Sequence, residues 1–352
     1  MITPDVRRFG AVKDTLKSFG LPRIIIVVFL VLLWAISMFL EIPFPQLLSD
    51  TLVRWGMNGV LVLAMMPSIL AGTGLYFGLP IGIICGLLGG VIAIELNLVG
   101  ITAFFAAIAF SIPFAFVLGW VYGFMLNRIK GSEMTVATYV GFSIVSLMCI
   151  FWSMAPFKSP AMAWPIGRGL RVTISLADRY EKVLNNFLSF NIFGIMIPTG
   201  LILFLLLMCL IVVLFFNTKT GIALKAGGEN PRFAQSSGIK VDTMRIVGTI
   251  FSTVLGAIGI LVYSQSFGFI QLYTAPLFMG FLAAAAILIG GASIKKATIL
   301  HVLLGTFLFQ GLLVVALPVA NKVATLGSLA EISRIIVSNG VILYALAQHS
   351  GD

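Results

Sequence analysis

The chain has 352 residues, of which 60% are hydrophobic and only 10% are charged. Soluble domains carry about 25% charged residues, so this composition excludes a soluble protein and indicates one embedded in a lipid bilayer. The formal net charge of +10 does not indicate nucleic-acid binding, because the Lys and Arg residues lie at the ends of apolar stretches and form no continuous basic face.

The N-terminus and the cysteines add two further interpretations. The apolar run Ile24–Leu40 is long and is not followed by a small-x-small cleavage site, so we interpret it as the first membrane span and not as a cleaved signal peptide. Cys85, Cys149 and Cys209 lie inside apolar runs without neighbouring His or Cys residues. This placement predicts hydrophobic packing and argues against disulfide, metal or redox chemistry.

Apolar segments fill most of the chain, and a helix needs about 20 apolar residues to cross a bilayer. We therefore predict an all-α integral membrane protein of about ten transmembrane helices, forming a single transmembrane domain over residues 1–352. The predicted spans are Leu21–Leu40, Gly59–Leu79, Pro80–Ile94, Leu98–Leu126, Thr135–Ala155, Ile192–Phe216, Met244–Tyr263, Leu277–Gly290, Thr298–Val319 and Ile332–Ala347. Pro80–Ile94 and Leu277–Gly290 are short for a span.

The distribution of basic residues gives an orientation. If residues 1–20 are cytoplasmic, the alternating spans place fourteen Lys and Arg residues in inner segments and eight in outer segments. This bias has the sign of the positive-inside rule. It predicts cytoplasmic termini, a cytoplasmic loop at residues 217–243 and an extracytoplasmic loop at residues 156–191.

The outer loop has a helical pattern of its own. Ala177, Tyr180, Leu184, Phe187 and Leu188 recur at helical spacing with charged residues between them. We expect a short amphipathic helix at the outer membrane surface, either on the protein's own rim or in contact with a partner.

Two stretches in different halves of the chain resemble one another. Gly72–Gly90 and Gln271–Gly291 each contain Leu-Tyr, then a Pro, then apolar residues ending in Gly-Gly. Paired interrupted hydrophobic segments are typical of transporters built from inverted repeats with short broken helices. The alternative is a coincidence of Gly-rich helix packing.

The spans contain no recognisable energy source or catalytic group. There is no phosphate-binding Gly-x-x-x-x-Gly-Lys motif, no metal-ligand cluster and no nucleophile–base pair, so we predict neither an enzyme nor a cofactor or metal site. Ionisable residues deep in spans, which ion-driven carriers use, are also absent. Uncharged polar and aromatic residues near the predicted spans are candidates for a path for a polar solute, with helix–helix hydrogen bonding as the alternative role: Thr73, Tyr76, Gln271, Tyr273 and Gln310.

The loop at 217–243 contains the signals of a short helix. Asn230 is suited to cap it, Pro231 to occupy its first position and Gly238 to end it in a left-handed conformation. About two helical turns are too short to be stable alone, so we expect this helix to dock on a partner. The alternative is an ordinary capped turn between two spans.

This loop resembles the cytoplasmic coupling segment of permease subunits of ATP-binding-cassette importers, the family of ribose, simple-sugar, nucleoside and branched-chain amino-acid permeases. The matching residues are Thr218, Gly221, Lys225, Ala226, Gly228, Asn230, Ala234, Gly238, Ile239 and Val241. Phe281–Ser293 is similar to a later Ala-rich segment of the family. Gly72–Gly78 lacks the Asp and Ser that sugar permeases have there, which speaks against a ribose-type substrate.

The resemblance implies a function and a set of partners. The chain would be the permease subunit of an importer in a bacterial or archaeal cell membrane, carrying a sugar or nucleoside. Its partners would be ATPase subunits, a second permease subunit and an extracytoplasmic solute-binding protein. The implied ATPase-coupling residues are Gly228, Glu229, Asn230, Pro231, Arg232, Phe233, Ala234 and Gly238. The alternatives are a branched-chain amino-acid permease of the same family and a stand-alone secondary transporter.

Overall fold

The computed structural model of the chain describes residues 21–164, 169–273, 276–323, 334–336, 338–340 and 342. Its helices are α1 (Leu21–Phe39), α2 (Phe44–Leu63), α3 (Met65–Leu70), α4 (Leu79–Glu95), α5 (Gly100–Arg128), α6 (Glu133–Met154), α7 (Val183–Asn186), α8 (Thr199–Asn217), α9 (Lys219–Glu229), α10 (Pro231–Ser236), α11 (Val241–Phe267), α12 (Pro276–Ile289) and α13 (Ile299–Val323). Four short strands are β1 (Thr173–Ser175), β2 (Phe190–Ile192), β3 (Ile195–Ile197) and β4 (Phe269–Gln271).

The described helices confirm the class of all-α membrane protein. Six helical stretches are long and apolar enough to cross a bilayer: Phe44–Leu70, Gly100–Arg128, Glu133–Met154, Thr199–Asn217, Val241–Phe267 and Ile299–Lys322. Shorter apolar helices are Arg23–Phe39, Leu79–Glu95 and Pro276–Ile289. The strands form two separate antiparallel pairs, β1 with β4 and β2 with β3.

The centre of the molecule is the packing of α4, α5 and α11, which depends on small residues. A Cβ atom on Gly82 of α4 would lie 2.6 Å from the carbonyl oxygen of Thr253 in α11. A Cβ on Gly119 of α5 would lie 2.8 Å from the hydroxyl of the same threonine. In lipid, helices associate through such close backbone approach, because there is no hydrophobic driving force between them. Around this centre, α2 packs on α13, and α12 packs on α13.

The loops gather at two ends of the bundle. At one end, Gly72 contacts Gly228, Lys130 pairs with Asp242 and Arg23 donates to the carbonyl oxygen of Gly291. We call this the α9–α10 end, because both short helices lie there. At the opposite end, Glu95 accepts hydrogen bonds from the amides of residues 158 and 159, and the amide of Gly100 donates to the carbonyl oxygen of Arg179.

Two predicted spans had wrong boundaries. The span predicted as Gly59–Leu79 is the helical stretch Phe44–Leu70, which begins fifteen residues earlier and ends before the break at 71–78. The span predicted as Ile192–Phe216 begins only at Thr199, because residues 190–197 form the β2–β3 hairpin. Ile332–Ala347 lies largely outside the described residues, as do residues 1–20, and its described positions are helical.

The amphipathic helix predicted in the outer loop was also wrong as a continuous element. The chain turns at residues 177–182, Lys182 has a left-handed φ of 52°, and α7 has only four residues. Tyr180 and Leu184 are buried against the bundle, whereas Phe187 and Leu188 are exposed. The apolar pattern therefore combines buried residues with exposed ones and does not form one helical face.

Candidate functional site

The segment from Thr218 to Val241 folds as two short helices in series. Thr218 ends α8 and caps α9, because its hydroxyl accepts a hydrogen bond from the amide of Gly221 at 3.2 Å. The chain then bends at Asn230 and continues as α10. The sequence analysis missed α9, although Thr218 followed by Gly221 gave a helix-start signal.

The predicted signals of α10 are confirmed in local geometry. The Asn230 side chain accepts a hydrogen bond from the amide of Phe233 at 3.0 Å, and Pro231 is the first helical residue. Gly238 has a φ of 82°, and the amide of Ile239 donates to the carbonyl oxygen of Ala234 at 2.9 Å. A cap such as Asn230 contributes about 1 kcal/mol to helix stability.

The inner face of this segment is fixed to the bundle. Leu224 of α9 is fully buried, and Ala234 is the buried residue of α10. Gly228 lies against the backbone at the end of α3, where a Cβ would come within 2.9 Å of the amide nitrogen of Gly72. Gly72 itself has a φ of 75° and is the second residue of the break at 71–78. The backbones of α9 and of the broken helix are therefore in direct contact.

The outer face of the segment is exposed in the described part of the chain. Glu229, Asn230, Pro231 and Arg232 are exposed. Phe233 is a large aromatic residue with 66% of its surface exposed. An exposed aromatic beside an arginine is the composition found at the centre of protein–protein interfaces.

Two ion pairs hold the elements beside this segment. Arg245, near the start of α11, pairs with Glu133 at the start of α6, and both side chains are largely buried. The other carboxylate oxygen of Glu133 accepts a hydrogen bond from the amide of Gly131 at 2.7 Å. The second pair, Lys130 with Asp242, is solvent-exposed. The turn between α5 and α6 is thus tied to the helix that follows α10.

Thr73 and Tyr76 lie in the break at 71–78 and are internally hydrogen-bonded. The Tyr76 hydroxyl is 2.6 Å from the hydroxyl of Thr253 in α11. The Thr73 hydroxyl is 2.7 Å from the hydroxyl of Ser68, and the backbone amide of Ser68 donates a hydrogen bond to the hydroxyl of Ser252. These bonds join the broken helix to α11.

Gln271 and Tyr273 lie at the opposite end of the bundle. Gln271 belongs to β4, where it pairs with Thr173 of β1. The Tyr273 hydroxyl donates to the carbonyl oxygen of Leu170 at 3.1 Å. Burial, and then the neighbouring Cys149, raise the pKa of this hydroxyl, so it remains a neutral donor at physiological pH.

Gln310 faces a cavity of about 610 Å³, a size typical of sites for small ligands. The cavity lies between α2, α11, α12 and α13 and also contacts the described residues after 333. Only 5% of Gln310 is accessible, and its amide makes no hydrogen bond within the described part of the chain. Gln271 lines a small adjoining pocket that shares Tyr263 and Met279 with this cavity, whereas Thr73, Tyr76 and Tyr273 line neither.

The sequence analysis missed most polar residues of this cavity. Arg54 and Asn58 of α2 line it, together with Tyr263 of α11. A second cavity of about 360 Å³, which includes Asp50 and Ser266, shares Arg54 with the first. The charges at 50 and 54 were the available signal, because they lie one helical turn apart on one side of α2.

Comparison with known proteins gives a consistent group of relatives. The family model described as branched-chain amino acid transport system / permease component matches residues 20–346. The chain is 33% identical over 92 residues to a nucleoside ABC transporter permease protein, NupC, of Lactococcus lactis, a match covering 26% of this chain and 29% of NupC.

Two further relatives match longer stretches. A probable branched-chain amino acid transport permease protein, LivH, of Methanocaldococcus jannaschii is 32% identical over 134 residues, which cover 34% of this chain and 42% of LivH. A second nucleoside ABC transporter permease protein of L. lactis, NupB, is 23% identical over 188 residues, covering 52% of this chain and 51% of NupB. The matches therefore span between about a third and a half of the relatives' lengths.

Proposed function

This chain belongs to the family of permease components of the branched-chain amino acid transport system type, and we propose that it is the membrane-spanning subunit of an ATP-driven importer. In this proposal separate ATPase subunits supply the energy, a second permease subunit completes the membrane unit, and an extracytoplasmic binding protein delivers the solute. The observation that carries the proposal is the exposed face of α10, a short helix fixed to the bundle on one side and presenting Phe233 and Arg232 on the other.

The contacts of α9 supply a route from this face to the interior. A displacement of α10 moves α9, because Asn230 is the only residue between the two helices. Gly228 then acts on the backbone at Leu70 and Gly72, and Tyr76 connects this break to α11 through Thr253. Packed elements of this kind transmit movement by switching between discrete arrangements.

The proposed topology has ten spans with both termini in the cytoplasm of a bacterial or archaeal cell. The nine described apolar helical stretches and one further span at the C-terminus would make this number. An inverted repeat is supported by the two interrupted segments. The break at 71–78 follows α3 and precedes α4, and the described non-helical residues 268–273 follow α11 and precede α12. Under this repeat α2 corresponds to α11 and α5 corresponds to α13. The packing agrees with this correspondence, since α5 contacts α11 and α13 contacts α2.

The proposed cargo is a small polar solute, with a nucleoside or sugar as the first candidate class. The two nucleoside permeases among the relatives support a nucleoside. The match to LivH and the description of the family support a branched-chain amino acid as the second candidate. The amides of Asn58 and Gln310 and the hydroxyl of Tyr263 offer hydrogen bonds suited to an uncharged polar solute.

The function is tested by reconstituting the chain in proteoliposomes with its ATPase and permease partners and the binding protein. We expect uptake of radiolabelled uridine, ribose or leucine that requires enclosed ATP and is insensitive to proton and sodium ionophores. Uptake by the chain alone, driven by an ion gradient, would contradict the proposal and favour the secondary transporter.

Gln310→Leu tests the proposed solute path. We expect the concentration for half-maximal uptake to rise by about two- to tenfold, because the solute loses one hydrogen bond worth roughly 1 kcal/mol. The thermal stability should stay unchanged, since the amide bonds no protein group in the described part of the chain.

Thr306→Val is the matched control for this variant. Thr306 lies one turn earlier on α13, is fully buried and donates to the carbonyl oxygen of Val302. It does not line the cavity, so its substitution should leave the uptake constant unchanged. Equal uptake constants for Gln310→Leu and the original chain would remove Gln310 from the path.

A further inference from the structure

The β2–β3 hairpin has an unexpected turn. Phe193 and Gly194 form its two-residue loop, and both have positive φ, 50° and 81°. Turns of this type favour Asn or Asp followed by Gly, because those residues adopt the left-handed conformation with least strain. Phe does not stabilise the turn, so its presence indicates a use for the side chain.

The hairpin and the residues before it form an exposed apolar surface. Phe193 has 95% of its surface exposed. The other exposed apolar members of this surface are Phe187, Leu188, Phe190, Ile192 and Met196. No charged residue occurs between Lys182 and Lys219. An exposed apolar patch of this kind marks a contact with another protein or with a membrane.

The contacts of the hairpin place it beside the first turns of α2 and α8. The Ser49 hydroxyl, near the start of α2, donates to the carbonyl oxygen of Met196 at 2.9 Å. Gly194 lies beside Pro45, the second residue of α2. The next element after β3 is α8, which begins at Thr199. The hairpin therefore lies level with the first residues of two apolar helices.

We propose that this hairpin lies in the interfacial zone of the outer leaflet, with Phe190, Ile192 and Phe193 inserted between lipid headgroups. Segments that lie in the interface bury Trp, Phe and Leu side chains at the boundary between headgroups and acyl chains. The outer edges of a two-stranded sheet have backbone groups without strand partners, and the hydrocarbon core offers them no hydrogen bonds. The headgroup zone contains water, so it accepts both the apolar side chains and the backbone. The hairpin then anchors the outer end of α2 and α8 at a fixed depth.

Spin labelling tests the depth directly. Cys85, Cys149 and Cys209 are first replaced by Ala, and a single spin label is attached to Phe193→Cys in vesicles of phosphatidylethanolamine and phosphatidylglycerol. Collisions with oxygen, which concentrates in lipid, are compared with collisions with a water-soluble nickel chelate. Asp178→Cys in the exposed outer loop serves as the aqueous control, and Leu207→Cys on the exposed side of α8 serves as the deep control.

We expect the ratio of oxygen to nickel collisions at 193 to lie above the ratio at 178 and below the ratio at 207. A ratio at 193 equal to that at 178 would place the hairpin in water and overturn the proposal. Low collision rates with both reagents at 193 would indicate burial against a protein, either a second copy or another subunit, and would also overturn it. Size-exclusion chromatography of each labelled variant establishes that it is folded before the measurement.

Discussion

Phe233→Ala should strongly weaken the association with the ATPase subunits while leaving the permease folded. The side chain is 66% exposed and central on the free face of α10, so its truncation removes little internal packing. Exposed aromatic residues that become buried in a partner's pocket often contribute about 2 kcal/mol or more, which corresponds to roughly a 30-fold weaker complex. The measurement is the dissociation constant for the ATPase subunit, with the melting temperature of the isolated permease measured in parallel.

Ile222→Ala provides the control for this substitution. Ile222 is an exposed apolar residue of similar accessibility on α9, outside the face formed by Arg232 and Phe233. Its truncation should leave the dissociation constant unchanged. If Phe233→Ala binds the ATPase as tightly as the original chain does, α10 is not the coupling helix, whatever the family membership implies.

The sequence predicted α10 well because its signals are local. The hydrogen bond from the amide of Phe233 to Asn230 spans three residues, and Gly238 needs only its own φ to end the segment. Rules that use only neighbouring residues in the sequence can be applied before the fold is known. The contact of Gly228 was missed because it depends on Leu70 and Gly72, which are far away in the sequence.

Hydropathy misplaced the start of the second span for a different reason. Asp50 and Arg54 make residues 44–58 appear too polar for a membrane helix. In the structure Arg54 lines both cavities and Asp50 lines the second, so both residues border a space between helices. That space is formed by α11, α12 and α13 as well as α2, and no single segment of sequence encodes it. The cavity residues Asn58 and Tyr263 were missed for the same reason.

The start of α8 was misplaced because hydropathy does not distinguish an apolar hairpin from an apolar helix. Phe190–Ile197 continues directly towards the helix with no charged residue between them. The usual Asn-Gly hairpin signal is absent, since Phe193 takes the first turn position.

Gly228→Ala should have the second large effect, because its new methyl group would meet backbone that cannot rotate away. The Cβ would lie 2.9 Å from the amide nitrogen of Gly72 and overlap the end of α3. Overpacking of this kind costs typically 1–3 kcal/mol. We expect a lower melting temperature and a loss of ATP-driven uptake, since α9 must separate from the break at 71–78.

Gly227→Ala is a closely matched control, because it makes the same chemical change in the preceding residue of α9. Its Cβ would meet its nearest neighbour, Val241, at an ordinary 3.7 Å. Both substitutions gain up to about 1 kcal/mol of helix propensity, so the difference between them isolates the contact of Gly228 with the broken helix. Equal melting temperatures would contradict this contact. A Gly228→Ala protein that is less stable but transports at the original rate would show that the contact holds the fold together without transmitting movement from α10, and the route from Phe233 to Tyr76 would have to pass through α11 instead.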